Sequence, residues 1–600
     1  MAGADRSRIN WDVLESFTKC KYKAYLKLVG EQGTHSDYEM MLTAQKHQVM
    51  IDVTRMFAES VASHKPTRCT SVADVGIENS HIISEQFEDD VFSIQLNVLG
   101  IGEATTGLGS NYREPLLFDG GHRVLRHHRL LLAMCGLLLV RFQEITPQRG
   151  FIWHGPGCNR SSVQLRAHRL LASRELKELM ALQANGTPPT LFLNEHCQTC
   201  EFQTRCRAQA KEEDNLSQLS GMTQKEITRL KSHGIFTLTQ LSYTFRARRR
   251  AKRVKTKTRP HSFPLQALAI REKAVFVHGQ PKMIGSGAKI YFDIEGIPDS
   301  AYYLIGTIVK VGDEDRYQSF WSNDDEGEVE AFVQFLNFVE RQGEATLFHH
   351  GGYDRRALRS IRTRLPPHSQ SVLDVVLERC VNVIEVIQGC VYFPTCSKSL
   401  KEIATLLGQR WPDEIASGVQ SIVVRSEWVL SRDENLKEQL IQYNAADCSA
   451  LKRVVSFIET LCSERPGSEA EPPPPINIQQ IDDVERIRRQ KHRFQRTEFI
   501  LPEFSEVNKL AYFDYQRETV IARKNRVVRK AAKRKKNANQ RPIPINKTMI
   551  LKSSKCPTCQ SKRLSKGRHL SCQVVDLKFS ECVVKRWVVR YTSAKYTCTN

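Results

Sequence analysis

The apolar positions of this chain change period several times, and the changes divide it into units. The opening run WDVLESFTKCKYKAYLKL reads as a helix, Leu130 to Phe142 as a second and more apolar helix, and VFSIQLNVLG as a strand. Asn215 to Ser242 reads as two short helices around turns marked by Gly221 and Gly234. Leu219, Ile227, Leu230, Ile235 and Leu238 supply their apolar contacts. From about Ala288 to Cys462 strands and helices alternate, as in an α/β domain. The stretch SERPGSEAEPPPP then breaks the pattern, because proline continues neither a helix nor a central strand. The resulting division is a mixed region 1–212, a helical hairpin 213–245, a basic linker 246–287, the α/β domain 288–462, a Pro-rich linker 463–476, a basic helical region 477–546 and a cysteine-bearing module 547–600. The fold class is α/β and multidomain, with no repeat of solenoid period.

Composition narrows the partner. A chain of 600 residues exceeds one core, so several folding units are expected. A net charge of +22 favours a polyanion, and nucleic acid is favoured over an anionic membrane surface. No membrane span is expected, since the longest apolar helix is too short and contains Arg141. The N-terminus is charged through Asp5, Arg6 and Arg8, unlike a secretory signal. With 17 cysteines and no such signal, a reducing, cytoplasmic compartment and metal ligation are expected.

Four acids then stand out. Asp293 and Glu295 sit two apart in KIYFDIEG, which puts both carboxylates on one face of a strand. Asp354 closes LFHHGGYD, a strand-then-turn context, and Asp447 lies four after Tyr443 in QYNAADCSAL, on one helix face. Carboxylates gathered in this way can share two divalent cations, which activate water and stabilise the departing oxygen of a phosphodiester. Asp374, in SVLDVV, reads as a helix-start acid.

Residues Lys289 to Val455 resemble the ribonuclease H-like DEDD exonucleases, in the branch with tyrosine in the third motif. YFDIEG is similar to the first motif, FHHGGYD to the second and YNAADC to the third. The resemblance implies Mg²⁺ or Mn²⁺ held by Asp293, Glu295, Asp354 and Asp447, with Tyr443 orienting water, and hydrolysis from a 3′ end. The second motif departs from the family in carrying His349 and His350 where a polar Asn is usual.

HCQTCEFQTRC spaces Cys197, Cys200 and Cys206, and Cys20 stands alone far earlier. One early and three late cysteines resemble the iron–sulfur staple of RecB-type nucleases, including the CRISPR-associated RecB-like enzymes. That resemblance implies a [4Fe–4S] cluster on Cys20, Cys197, Cys200 and Cys206. Zn²⁺ on the three late cysteines with His196 or Cys20 is the competing assignment. The layout from residue 1 to about 462 is similar to putative RecB-family nucleases that join a PD-(D/E)xK fold, a helix-hairpin-helix and a ribonuclease H-like domain. FIWHG and VYFPTCSKSLKEIATLLG add to the likeness. The RecB-type catalytic set is incomplete. His47 is a candidate, Asn97 stands where Asp is expected, and neither Glu114 nor Asp119 has a Lys two residues on.

Backbone N–H groups near Gly221 and Gly234 are candidate phosphate contacts, as are the basic runs 248–253 and 529–536. At the C-terminus Cys556-Pro-Thr-Cys559 resembles one knuckle of a zinc ribbon. Cys598 would begin the second, with Cys572 and Cys582 as fallback Zn²⁺ ligands. Asn600 falls one residue short of a C-x2-C partner, which suggests a segment of a longer chain. The expected function is a nuclease acting on DNA or RNA. The alternative is a non-catalytic nucleic-acid-binding or mobile-element-associated protein.

Overall fold

In the computed structural model the chain divides into two units, Met1–Lys509 and Leu510–Asn600. The described residues are 8–62, 80–101, 112–143, 145–245, 261–283, 285, 287–311, 314–412, 415, 417–462, 476–481, 544–580 and 583–599. Both basic runs, Cys582 and nearly all of the Pro-rich linker and the region 477–546 lie outside them.

The opening helical run is two helices, not one. Helices α1 (Trp11–Lys19) and α2 (Lys21–Leu28) meet at Cys20, which is extended at φ −159° and ψ 118°. Asn10 caps α1 by accepting from the Val13 N–H. The break lets Val13, Leu14 and Phe17 enter one core while Tyr22 and Leu26 enter another, beside Cys200 and Cys206. After α3 (Asp37–Ala62), strands β1 (Ser80–Glu88), β2 (Ser93–Ile101) and β3 (Arg113–Asp119) form an antiparallel meander. Helix α4 (Arg126–Gln143) crosses back to β4 (Arg149–His154), which pairs parallel to β3, and β5 (Asn159–Gln164) closes the sheet. Helix α4 buries Leu131, Leu132, Met134, Leu138 and Leu139 against that sheet. No helix among the described residues is long and apolar enough to cross a membrane. Helix α5 (Arg169–Asn185) leads to α6 (Gln203–Glu212), and α7 (Gln224–Ser232) and α8 (Leu238–Ser242) form the hairpin. Gly234, at φ +79°, makes its turn, and Thr223 and Thr237 each close a capping box.

Helix α9 (Phe263–Glu272) and β6 (Val275–Val277) lead into the second half. There β7 (Ala288–Gly296), β8 (Tyr302–Val311) and β9 (Glu314–Trp321) form an antiparallel meander. Helix α10 (Asp325–Arg341) returns the chain to β10 (Ala345–His349), parallel to β7 on its other side. Helices α11 (Tyr353–Ile361) and α12 (Pro367–Arg379) lead to β11 (Cys380–Asn382), which gives the order β11-β10-β7-β8-β9 with β7 central. Asp374 sits in the middle of α12, not at its start, and pairs with Arg362 at 2.8 Å. After α13 (Val383–Ile387), β12 (Val391–Tyr392), α14 (Leu400–Leu406) and α15 (Gly418–Ser431), the long α16 (Glu434–Cys462) lies against β7 and β8. Strand β13 (Ile478–Gln480) completes a small sheet with β6 and β12.

In the second unit β14 (Lys547–Ile550), β15 (Leu564–Ser580) and β16 (Val583–Cys598) form a sheet dominated by the β15–β16 hairpin. Cys556, Cys559 and Cys598 have all three sulfurs within 4.8 Å of one another. Cys572 is exposed opposite Tyr591 on the hairpin and is not in that group.

Candidate active site

The alternation of β7 sorts its side chains between two cores. Ile290, Phe292 and Ile294 pack on one face with α10 and α11 residues, while Tyr291, Asp293 and Glu295 point to the other. On that second face α16 brings Tyr443, Asn444 and Asp447, all buried. Carboxylate oxygens of Asp293, Glu295 and Asp447 lie within 4.8 Å of one another. Asp354 arrives separately. Gly351, at φ +95°, turns the chain after β10, and Asp354 falls in the first turn of α11. Its Oδ1 accepts from the Ile294 N–H at 3.2 Å, so it is held between the two β7 acids. His349 is fully buried behind it, Nδ1 lying 3.6 Å from Oδ2, while His350 lines the cleft in front. The two histidines therefore occupy different environments.

Carboxylates gathered in a site shielded from water cannot all stay charged without compensation. Burial raises Asp293 well above the usual carboxylate range, and the Asp354, Asp447 and Glu295 charges raise it further, against one hydrogen bond from Asn444. Burial and Asp447 push Glu295 up to about 8, against a hydrogen bond from Ser421. Burial also raises Asp447, opposed by the Trp411 indole, the Lys401 ammonium and the Tyr443 hydroxyl. Burial and the neighbouring Asp447 hold the Tyr443 phenol far above its ordinary value, so it stays protonated and can donate. The donors are all carboxylate oxygens, the chemistry that suits hard divalent cations.

Four supporting residues escaped sequence reasoning. Trp411 Nε1 donates to Asp447 Oδ1 at 2.6 Å, Ser421 Oγ donates to Glu295 Oε2 at 3.0 Å, and Asn444 Nδ2 donates to Asp293 Oδ2 at 3.0 Å. Lys401, on α14, stands 4.5 Å from the centre of the Tyr443 ring. Asn444 adjoins Tyr443 and Lys401 lies inside SLKEIATLLG, so those two carried a signal. Ser421 and Trp411 carried none, because they meet their acids only across 126 and 36 residues.

In the N-terminal half the four cysteines share one neighbourhood. Cys20 lies at the α1–α2 junction, Cys197 and Cys200 precede α6, and Cys206 is on it. Burial raises the Cys20, Cys200 and Cys206 thiols; Cys197 raises all three further, and Cys206, which also feels Cys20 and Cys200, reaches about 12. No three of these sulfurs lie within 4.8 Å of one another. His196 lines the neighbouring cleft with Nε2 buried and unbonded. The RecB-type candidates do not converge. His47 is exposed, Glu114 is locked to Arg149 at 2.8 and 3.1 Å, and Asn97 pairs across β1 with Ser84. Of these, Asp119 lines the cleft, 3.5 Å from His128. His35, Glu39 and Glu201 also gather, but Lys23 and Lys27 already neutralise those carboxylates.

Residues 290–458, which hold all four acids and Tyr443, match the family model of the RNase H superfamily. This part of the chain is similar to ribonuclease H-like domains, and a nuclease-type function goes with that superfamily. No curated protein matches the chain.

Proposed function

We propose that the protein is a metal-dependent 3′–5′ exonuclease of DNA or RNA, with its active site at Asp293, Glu295, Asp354 and Asp447. The convergence of three carboxylates within 4.8 Å beside Tyr443 carries this reading. Asp293, Glu295 and Asp447 would hold Mg²⁺ or Mn²⁺, with Asp354 alongside. Such cations supply Lewis-acid stabilisation of the charge that develops on the phosphodiester. Tyr443, protonated and set against Asp447, orients the attacking water. Asn444, Ser421 and Trp411 fix the carboxylates through hydrogen bonds, as outer-shell partners do.

The N-terminal half supports a RecB-like scaffold reading without a catalytic set of its own, in a cytoplasmic protein. A zinc centre with Zn–S near 2.3 Å brings its sulfurs within about 4 Å of one another. Cys20, Cys197, Cys200 and Cys206, one thiol before and three after the N-terminal fold, are read as the ligands of a [4Fe–4S] cluster. The tighter trio Cys556, Cys559 and Cys598 suits Zn²⁺ in a ribbon-like module, and backbone N–H groups draw the Cys556 thiol down to about 7. The α7–α8 hairpin is read as a helix-hairpin-helix.

The test uses anaerobically purified protein with 3′- or 5′-labelled single-stranded DNA and RNA, in Mg²⁺ or Mn²⁺, beside Asp293→Ala. A ladder growing from the 3′ end, absent in the variant, is the expected result. Tight binding by both proteins with cleavage by neither would make the chain a binding module.

A further inference from the structure

The cavity that exposes Tyr443 and Asp447 continues well beyond them. At about 3020 Å³ it is some three times the roughly 1,000 Å³ of a large small-molecule site. One wall is Asp293, His350, Lys401 and Tyr443. The other is built from α1, α3, α4, α6 and the loop before α7, all in the N-terminal half. The Ser220 N–H donates to the Cys396 carbonyl at 2.9 Å and ties that loop to the ribonuclease H-like half.

Much of the positive charge in this wall is already used. Lys19 and Lys46 pair with Glu15, Lys21 with Glu175 and Glu178, and Lys23 and Lys27 with Glu201. Arg126, Arg207 and Lys211 also line the cavity, and among the described residues none has an acidic partner. Arg207 and Lys211 are exposed and four apart on α6, one turn beyond Gln203, which lines the same cavity. That spacing stacks the three side chains on one helix face, about 6 Å apart along the axis. Cys206 and Ala210, on the adjoining face of the same helix, are buried and anchor it.

We propose that this face of α6, with Arg126, holds the sugar–phosphate backbone of a single strand whose 3′ end lies at Asp293 and Asp447. The inference rests on the exonuclease reading and assigns that site its upstream substrate path. Periodic cations without acid partners suit a repeating anion, and the size of the cavity suits a polymer. The contacts are to phosphate, so affinity depends on salt and not on sequence.

The experiment compares R207E/K211E with a charge-matched control, R316E/R359E, whose residues are exposed and outside the cavity. Binding of a labelled single strand is followed by anisotropy across a salt series, with Asp293→Ala in every protein to prevent cleavage. Losing two phosphate contacts should reduce the slope of log affinity against log salt by about 1.4. Affinity at low salt should fall roughly tenfold or more, with the control unchanged and R207K/K211R close to the parent. In the cleaving background, the advantage of a long strand over a dinucleotide in kcat/KM should shrink in parallel. An unchanged slope in R207E/K211E, or an equal loss in the control, overturns the path. A slope change in a protein that never cleaves overturns the exonuclease reading and leaves the path standing.

Discussion

Gly306 stands opposite Asp293 in the β7–β8 ladder, and Asn444 occupies the space its missing side chain leaves. A Cβ at position 306 would lie 1.6 Å from Asn444 Oδ1. That oxygen accepts from the Tyr317 hydroxyl at 3.0 Å, while the amide nitrogen donates to Asp293. Gly306→Ala must push α16 away from β7, and with it one of the hydrogen bonds on the Asp293 carboxylate. We expect a loss of about 1–3 kcal/mol in stability, as for other overpacked cores, together with weaker Mn²⁺ binding. Denaturant melts and calorimetric titration check both, and an unshifted midpoint would mean that α16 has slack.

Stability of the metal-stripped protein should fall as pH rises. Glu295 has its folded pKa raised from 4.5 to about 8, and Asp293 is raised too, so the folded state binds more protons than the unfolded state in between. That stabilisation is complete below the unfolded value and is lost as pH climbs through about 8. Melting temperature in chelator should therefore drop between roughly pH 5 and pH 8, and Mg²⁺ should restore most of it at the alkaline end. A flat profile in chelator would contradict the buried-acid picture.

Trp411→Phe removes the indole donor from Asp447 while keeping an aromatic ring under Lys401. Loss of an outer-shell partner commonly costs about 10–100-fold in metal affinity, and that range is expected here. Equilibrium titration with Mn²⁺ reads it directly.

Lys401 presents its ammonium to the Tyr443 ring and to the Asp447 and Glu295 charges. Replacing it by Met should lower kcat on the order of 100-fold, with a smaller change in KM, as for removal of one preorganised electrostatic group. A variant with ordinary kcat and raised KM would reassign Lys401 to substrate binding.

Iron and acid-labile sulfide should co-purify with the protein under anaerobic conditions, and Cys20→Ser should lose both. Zinc with no iron at this site would support the competing assignment instead. Because Cys20, Cys200 and Cys206 lie in one apolar cluster, Cys20→Ser should also loosen α2 from α6 and lower the melting temperature.

The parts of this molecule that could be read from sequence are those in which one element alone sets the geometry. Asp293 with Glu295 needs only a strand, and Tyr443 with Asp447 needs only a helix, so their faces followed from spacing. The break at Cys20 was not readable, because nothing in KCKYK forbids a continuous helix. It arises from two cores competing for opposite sides of the run. His47 has the residue type and helical context of a metal-binding histidine, yet its neighbour Lys46 faces the cleft, a register choice that only packing decides. Ser421 and Trp411 depend on where α15 and the segment after α14 are laid down, and no local pattern encodes that.

The hydrogen bond from Trp411 to Asp447 has an optical consequence. An indole bonded to an acid that a cation would recruit should change its emission when that cation arrives. The chain has six tryptophans, and the difference spectrum between the unaltered protein and Trp411→Phe isolates this one. The protein thus carries its own fluorophore beside its acidic centre, able to report ion arrival in a stopped-flow instrument before any phosphodiester is broken.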